Sequence, residues 1–454
     1  MSDTIAAIAT GNSVAGIGVI RISGDTAISV ADSVFKALDG TPLSQVKGYT
    51  AKFGNVYDQN TGFDNAIALV FRNPKSYTGE DVVELSVHGG IFIVEKTLEA
   101  VFNAGARPAE PGEFTKRAFL NGKMDLAQAE AVASLITAQG QEAAKASFNL
   151  LQGSLSNKIS IVLNKLIDCS ALMAAWVDYP DEEIPELEED TLLTTLQDTE
   201  NDLFSLIKNY ENGSAMTEGV DTAIVGKPNA GKSTLMNMLS GKEKSIVTHI
   251  KGTTRDIVEN SVRLDNIILH LSDTAGIHES DDIVESIGIQ KAIEKIDSAS
   301  LVLAVFDGAE LLSTEDEMLI DNCKNKPCIA IINKTDLEQK IEIEKIKSNF
   351  EHIVFISAKN SDDTGPLSKE VKKLLGVENL DTSQPILANK RQKLCVQNAL
   401  TCITEAREGA EIGITYDAIN VMIDSAIDEL LTLTGKKATD EVVNNIFANF
   451  CVGK

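Results

Sequence analysis

The chain has 454 residues, which at ~150 residues per domain predicts about three domains, each able to bury its own core without a disulfide or metal staple. Its 41 Lys and Arg stand against 67 Asp and Glu, a formal net charge of −26, so a broadly basic nucleic-acid-binding surface is excluded. Hydrophobic residues make up 43% and charged residues 24%, the balance of folded chains rather than disordered ones.

In chain order, Met1 to Ile5 lacks the basic region and apolar stretch of a secretory signal, and no run approaches ~18 apolar residues. The six cysteines contain no C-x-x-C pair and the five histidines are scattered, which argues against a zinc module and for a reducing compartment. The expectation is a cytoplasmic protein with no membrane contact. Residues 1–118 mix β-like runs at 18–22, 67–71 and 82–87 with glycine turns and one or two helices, such as 91–102, the texture of a small α+β domain. Residues 119–216 turn helical, with Ile159, Val162, Leu163, Leu166 and Ile167 at i, i+3, i+4, i+7 and i+8. An acidic, proline-bounded stretch at 178–185 interrupts them, and 181–190 reads as a solvated loop.

Over 217–377 apolar strands at 221–225, 267–271, 301–306, 328–332 and 353–356 alternate with helices, which predicts a doubly wound parallel sheet. Residues 378–454 are helical again, with Val396, Ala399, Leu400 and Ile403, then Ile419, Met422, Ile423, Ala426, Ile427 and Leu430. Two helical blocks around an α/β unit predict one discontinuous helical domain with the α/β domain inserted. The fold class is α/β plus α.

The chemistry is concentrated in the inserted domain. Residues 226–233 fit G-x-x-x-x-G-K-S between a strand and a helix. There glycine-bent backbone N–H groups and a helix N-terminus face phosphates, Lys232 reaches the β/γ oxygens and Ser233 offers an oxygen to Mg²⁺. Thr254, in Gly252-Thr-Thr-Arg-Asp256, is placed to complete the Mg²⁺ shell from a switch loop. Asp273-Thr-Ala-Gly276 follows, with Asp273 for Mg²⁺ and the Gly276 amide for the γ-phosphate. Asn333-Lys-Thr-Asp336 and Ser357-Ala-Lys359 each follow a strand. Asp336 selects the base: a carboxylate accepts from N1–H and the exocyclic amine of guanine, whereas adenine offers an acceptor at N1. The nucleotide is GTP.

Ile277 stands where Ras-type enzymes carry the Gln that orients the attacking water, and an apolar side chain cannot do that. Glu279, Asp281, Asp282 and Glu285 are the polar substitutes in that loop, and Arg255 is a candidate arginine finger. Asn229 either holds a monovalent cation in the finger's electrostatic role or only shapes the turn.

At this point the residues resemble a known family, the tRNA modification GTPases of the MnmE (TrmE) type, over essentially the whole chain. The resemblance rests on residues 3–10 with 18–24, on 76–90 (SYTGEDVVELSVHGG), on 111–126 (PGEFTKRAFLNGKMDL), on 178–184, on the GTPase motifs and on the terminal Cys451-Val-Gly-Lys454. It implies an N-terminal tetrahydrofolate-binding and dimerisation domain (1–118), a helical domain in two parts (119–216 and 378–454) and an inserted Ras-like P-loop GTPase domain (217–377). It implies folate-binding positions at Arg21, Glu84, Lys123 and Lys454, and K⁺ ligands at Asn229, Thr248, Ile250 and Thr253. Mg²⁺ ligands are implied at Ser233 and Thr254, and the water-orienting carboxylate at Glu285, with Lys232 and Asn229 as further catalytic groups. The GTP-binding set it implies is Asn229, Ala230, Gly231, Lys232, Ser233 and Thr234; Thr248, His249, Ile250, Lys251, Gly252, Thr253 and Thr254; Asp273, Thr274, Ala275 and Gly276; Asn333, Lys334 and Asp336; and Ser357, Ala358 and Lys359. It further implies a homodimer that works with the flavoprotein MnmG, in a heterotetramer or larger complex. A 5-formyl- or methylene-tetrahydrofolate cofactor would supply the carbon for a 5-carboxymethylaminomethyl group on the wobble uridine of certain tRNAs.

Two positions depart from the family pattern: Gly11-Asn-Ser-Val-Ala15 replaces a Pro- and Gly-rich stretch, and His278 stands where the family usually has Arg. Cys451 reads as a nucleophile on the tail or, more commonly, a free thiol. The Lys390-Arg-Gln-Lys393 cluster reads as a tRNA contact or a charged helix start. His88-Gly-Gly90 reads as a tight turn. The alternative to a tRNA-modifying enzyme is a regulatory P-loop GTPase of ribosome assembly or trafficking, for which a folate pocket has no use.

Overall fold

The computed structural model describes residues 3–11, 13–138, 140–178, 189–217, 219–241, 261–265, 267–271, 294, 296–324, 326–360, 363–377 and 384–453. They fall into two compact units.

The first unit contains residues 3–133 and 431–453. Its centre is a seven-stranded sheet of order β3-β4-β5-β6-β2-β1-β7: β1 Ile5–Ile8, β2 Ile17–Ser23, β3 Phe35–Ala37, β4 Thr50–Asp58, β5 Thr61–Phe71, β6 Val82–His88 and β7 Arg107–Pro108. Period-two alternation decides what each face carries. Ile20, Ile22, Val83 and Leu85 point into a core shared with α1 (Ala27–Val34) and α2 (Ile91–Asn103). Arg21 and Glu84 occupy the intervening positions and are register partners across β2 and β6. The first 118 residues thus hold α1 as well as α2, and α3 (Glu113–Leu120) begins inside them.

A second, smaller core joins the ends of the chain. Leu126 and Ala129, at the start of α4 (Leu126–Thr137), pack with Val443, Phe447 and Phe450 around α14 (Asp440–Phe447). Two glycines let the tail come this close. A Cβ on Gly112 (φ 65°) would sit 2.7 Å from the Phe447 carbonyl oxygen, and one on Gly453 (φ 97°) would sit 2.3 Å from that of Ile8.

The second unit contains a six-stranded sheet of order β13-β12-β11-β8-β10-β9: β8 Val220–Val225, β9 Ser261–Leu264, β10 Ile267–Leu271, β11 Leu301–Asp307, β12 Cys328–Asn333 and β13 His352–Phe355. The neighbours run parallel, as the alternating pattern predicts, except that β9 pairs antiparallel with β10. Every residue of β11 is buried, as expected of a central strand with cores on both faces. The helices in sequence around this sheet are α8 (Lys232–Gly241), α9 (Thr314–Cys323), α10 (Ile343–Lys347) and α11 (Gly365–Leu374).

The helical part of this unit comprises α5 (Gln141–Leu151), α6 (Ser154–Asp178), α7 (Glu189–Thr217), α12 (Lys390–Glu411) and most of α13 (Tyr416–Thr434). The two sequence flanks of the sheet meet here: Glu200 of α7 accepts from Arg407 Nε (2.8 Å) and Thr404 Oγ1 (3.0 Å) of α12. In α6 the buried stripe is Leu155, Ile159, Val162, Leu163 and Leu166, while Ile167 is 45% exposed. Eight residues overshoot two helical turns by about 80°, which carries Ile167 off the stripe. Residues 154–176 are long and apolar enough to span a membrane, with mean hydropathy 1.4. The same helix pairs Lys158 with Asp202 (2.6 Å) and Ser170 with Asp424 (2.8 Å), contacts suited to a packed helix within the protein. Glu189 and Asp190, read from sequence as loop, open α7. Residues 181–188 lie outside the described residues.

Candidate functional site

β8 delivers the chain to a turn whose residues Gly226, Asn229 and Gly231 have φ of 157°, 61° and 99°, the region that glycine and asparagine tolerate best. This turn leads into α8, which begins at Lys232. Lys232 Nζ donates to the carbonyls of Gly226 and Lys227, both at 2.8 Å, and burial holds its pKa below the ordinary lysine value. An ammonium held inside the turn at a helix start is a phosphate-binding arrangement. Ser233 and Asn229 are exposed beside it, and their oxygens are the hard donors that Mg²⁺ and K⁺ accept. Ala230 is buried, and Thr234 lies in the first turn of α8.

Asn333 ends β12 and fastens three loops. Its Nδ2 donates to the Ala230 carbonyl (2.9 Å), and its Oδ1 accepts from the Ala358 N–H (3.0 Å). A Cβ on Gly231 would lie 2.1 Å from that Nδ2, so the close approach needs glycine. Asp336 is held by both oxygens: Oδ1 accepts from Ser357 Oγ (2.5 Å) and Oδ2 from Asn360 Nδ2 (3.0 Å). The Ser357 hydrogen bond first, with the nearby Lys359 charge among the smaller causes, holds its carboxyl below the usual range. Lys334 (φ 62°) pairs with Asp307 at 2.5 Å. The phosphate turn, the base loop and 357–359 therefore stand together as the motif order predicts.

Thr248, His249, Ile250, Lys251, Gly252, Thr253, Thr254, Asp273, Thr274, Ala275, Gly276 and Glu285 lie outside the described residues, as do Arg255, Ile277, His278, Glu279, Asp281, Asp282 and Lys454.

In the first unit Arg21 Nε donates to Glu84 Oε1 at 2.8 Å and its Nη1 to the Gly453 carbonyl at 3.3 Å. The guanidinium carbon lies 5.6 Å from the Tyr77 ring centroid and 5.7 Å from that of Phe114. Lys123 Nζ donates to the Pro74 carbonyl (2.9 Å). A partly buried donor–acceptor pair beside two aromatic rings suits a flat heteroaromatic ligand with mixed donors and acceptors, as a pterin is. Arg117 braces this region through Glu80 (3.1 Å), Glu113 (2.9 Å) and Asp3 (2.8 Å).

Asp307, Asn360, Tyr77 and Phe114 escaped the motif reading. Asn360 directly follows the Ser-Ala-Lys motif and Phe114 lies in the 111–126 block, which were the available signals. Cys451 is half-buried, and its carbonyl accepts from the Gly112 N–H (3.3 Å). Lys390–Lys393 opens α12 under an Asn389 cap, with Lys393 Nζ 5.4 Å from the Tyr210 ring centroid. His88 ends β6 and its Nδ1 pairs with Asp64 at 2.6 Å.

The family model of the MnmE helical domain matches residues 126–451, and that of the GTP-binding protein TrmE N-terminus matches residues 4–123. The chain is 39% identical over 457 residues to the tRNA modification GTPase MnmE of Clostridioides difficile (strain 630), covering 100% of both chains. It is 39% identical over 460 residues to that of Carboxydothermus hydrogenoformans, again covering 100% of both. To that of Lactococcus lactis subsp. cremoris it is 37% identical over 454 residues, covering 100% of this chain and 98% of the relative.

Proposed function

We propose, for a chain that belongs to the MnmE (TrmE) family of tRNA modification GTPases, that the nucleotide site is K⁺-activated and that the first unit carries a folate for the modification itself. The protein is a GTP hydrolase of tRNA modification. In this reading residues 1–118 form the folate-binding and dimerisation domain, 119–216 with 378–454 the helical domain, and 217–377 the GTPase domain. The substrate is the wobble uridine of certain tRNAs, the partner is the flavoprotein MnmG, the protein acts as a homodimer, and the compartment is the cytoplasm.

Asp336 accepts from guanine, and Lys232 leaves its two backbone carbonyls to meet the β/γ oxygens. Ser233 and Thr254 hold Mg²⁺, which when bound neutralises charge on those oxygens. Asn229, Thr248, Ile250 and Thr253 hold K⁺, and Glu285 orients the water that Ile277 cannot. In the first unit Arg21 and Glu84, with Lys123 and Lys454, orient the folate, which when bound supplies a one-carbon unit.

The observation that carries this reading is the Arg21–Glu84 pair with the Arg21 guanidinium beside Tyr77 and Phe114, read as a folate pocket, for which a regulatory switch has no use. Two measurements test it. GTP turnover by the purified chain in matched KCl and NaCl buffers, with ATP as control, is expected to be strongly K⁺-dependent and absent with ATP; equal slow rates in both salts overturn the cation site. Arg21→Ala, which removes a charge-assisted hydrogen bond worth about 1.5–3 kcal/mol, is expected to abolish folate retention while leaving GTP turnover intact. A wild-type protein that retains no folate in any oxidation state favours the regulatory alternative.

A further inference from the structure

The segment that ends β11 and runs on from it belongs to none of the nucleotide motifs, yet its carboxylates meet lysines of two of them. At its start Asp307, with a side chain 3% exposed, takes Lys334 of the base loop, and its Oδ1 accepts from the Ala309 N–H at 3.0 Å. Farther on, Glu310 Oε2 lies 2.8 Å and Asp316 Oδ2 3.2 Å from Nζ of Lys227, which is 11% exposed. Asp316 is 2% exposed. Its Oδ2 also accepts from the N–H (3.0 Å) and Oγ (2.9 Å) of Ser313, closing the capping box of α9. The backbone of the same segment reaches both ends of the base loop. The Gly308 N–H donates to the Asn333 carbonyl (2.9 Å), and the Gly308 carbonyl accepts from the Lys340 N–H (2.8 Å).

Lys227 sits where such a tie has most effect. It lies between Gly226 and Asn229, both with positive φ, and the non-glycine Asn229 keeps that conformation only where its surroundings over-determine it. The Lys227 backbone is part of those surroundings. Its side chain runs outward to the two carboxylates. Its carbonyl accepts from the Ala230 N–H (3.3 Å) and from Lys232 Nζ (2.8 Å). The ion pair with the buried Asp316, joined from outside by Glu310, whose side chain is 62% exposed, therefore sets the position of the carbonyl that holds the phosphate-binding lysine.

We propose that residues 307–316 form an acidic brace that holds the phosphate turn and the base loop at one fixed spacing, with Lys227 as the positioning residue on the phosphate side and Asp307 on the base side. The brace carboxylates and the Lys227 ammonium touch neither phosphates nor water and act through the turn and loop that bind the nucleotide. Loss of the brace therefore weakens GTP and GDP binding, and KM rises by more than kcat falls.

The test uses the full chain, with steady-state GTP turnover and binding of a fluorescent GDP. Lys227→Met is expected to raise the GTP KM and the GDP Kd about tenfold, a larger change than the accompanying fall in kcat. Lys227→Arg is expected to restore both, since a guanidinium can still meet the two carboxylates. Loss of kcat in proportion to the folded fraction, with KM unchanged, means a purely structural contact and overturns the proposal. Lys227→Met leaves Asp316 buried without its cation, so Asp316→Asn, which keeps an oxygen for the Ser313 cap, decides the matter if the first variant does not fold. A KM raised about threefold or more, and by more than kcat falls, supports the brace, and an unchanged KM overturns it.

Discussion

In the second unit the candidate nucleotide groups are largely backbone atoms of one turn, residues 226–232, with Asn333 and Asp336 brought in at and just beyond the end of β12, two strands from β8. In the first unit the candidate ligand groups are side chains from β2, β6 and two loops, and Arg21 finds the Gly453 carbonyl 432 positions away in sequence. A site built from N–H groups requires glycines at set intervals and one lysine at a helix start, so its chemistry is written as a contiguous motif. A site built from side chains on a sheet face leaves only an alternation, and many alternating strands bind nothing. The two units should therefore respond independently to damage.

The largest effect expected is on base selection. Asp336→Asn places an amide donor where guanine requires an acceptor, and should lower kcat/KM for GTP by roughly 10³-fold while raising use of xanthosine triphosphate. Retained GTP selectivity would remove Asp336 from base recognition, whereas lost folate retention would break the independence of the units. Gly231→Ala comes next. The added carbon falls 2.1 Å from Asn333 Nδ2 at a φ of 99°, so the Asn333 amide must leave the Ala230 carbonyl and the turn is strained, and turnover should fall about 100-fold with folate retention unchanged.

These two positions also mark how far the sequence could be read. The strands at 221–225, 301–306 and 328–332 are each one residue short of β8, β11 and β12, because unbroken apolar runs announce buried parallel strands. The antiparallel edge β9 went unseen, since a four-residue strand carries too little pattern to separate from a loop. Gly231 and Asn333 were legible as motif members, but their mutual contact was not, and neither was the Lys227 pairing with Glu310 and Asp316. Ion pairs between distant segments leave no periodicity. In the first unit the alternation that sets Arg21 and Glu84 apart from Ile20 and Leu85 was in the sequence, while Tyr77, Phe114 and the Gly453 carbonyl required the fold to bring them near. There the resemblance to a family, not the spacing, pointed to Arg21 and Glu84.

The smallest effect sharpens the comparison through pH. In the first unit burial pushes the Glu113 carboxyl up, and the Arg107 and Arg117 guanidiniums more than reverse this, so it titrates below its usual 4.5. Asp3 is held below 3.8, first by its hydrogen bond to Arg107. A carboxyl whose pKa is depressed by folding contributes stability that is fully present above its unfolded pKa and is lost as pH falls through the folded one. The first unit should therefore weaken progressively from about pH 4.5 downward, mainly through Glu113 because the exposed Asp3 is screened by solvent, measured as a falling urea midpoint between pH 6 and pH 3. Glu113→Gln should lower the midpoint at pH 6 and flatten its acid dependence. Asp336 is also held below its usual range, by Ser357, so it keeps its charge into the same window. GDP affinity at pH 6 should then be unchanged by Glu113→Gln, and a matching loss of GDP affinity would show that the two units are coupled after all.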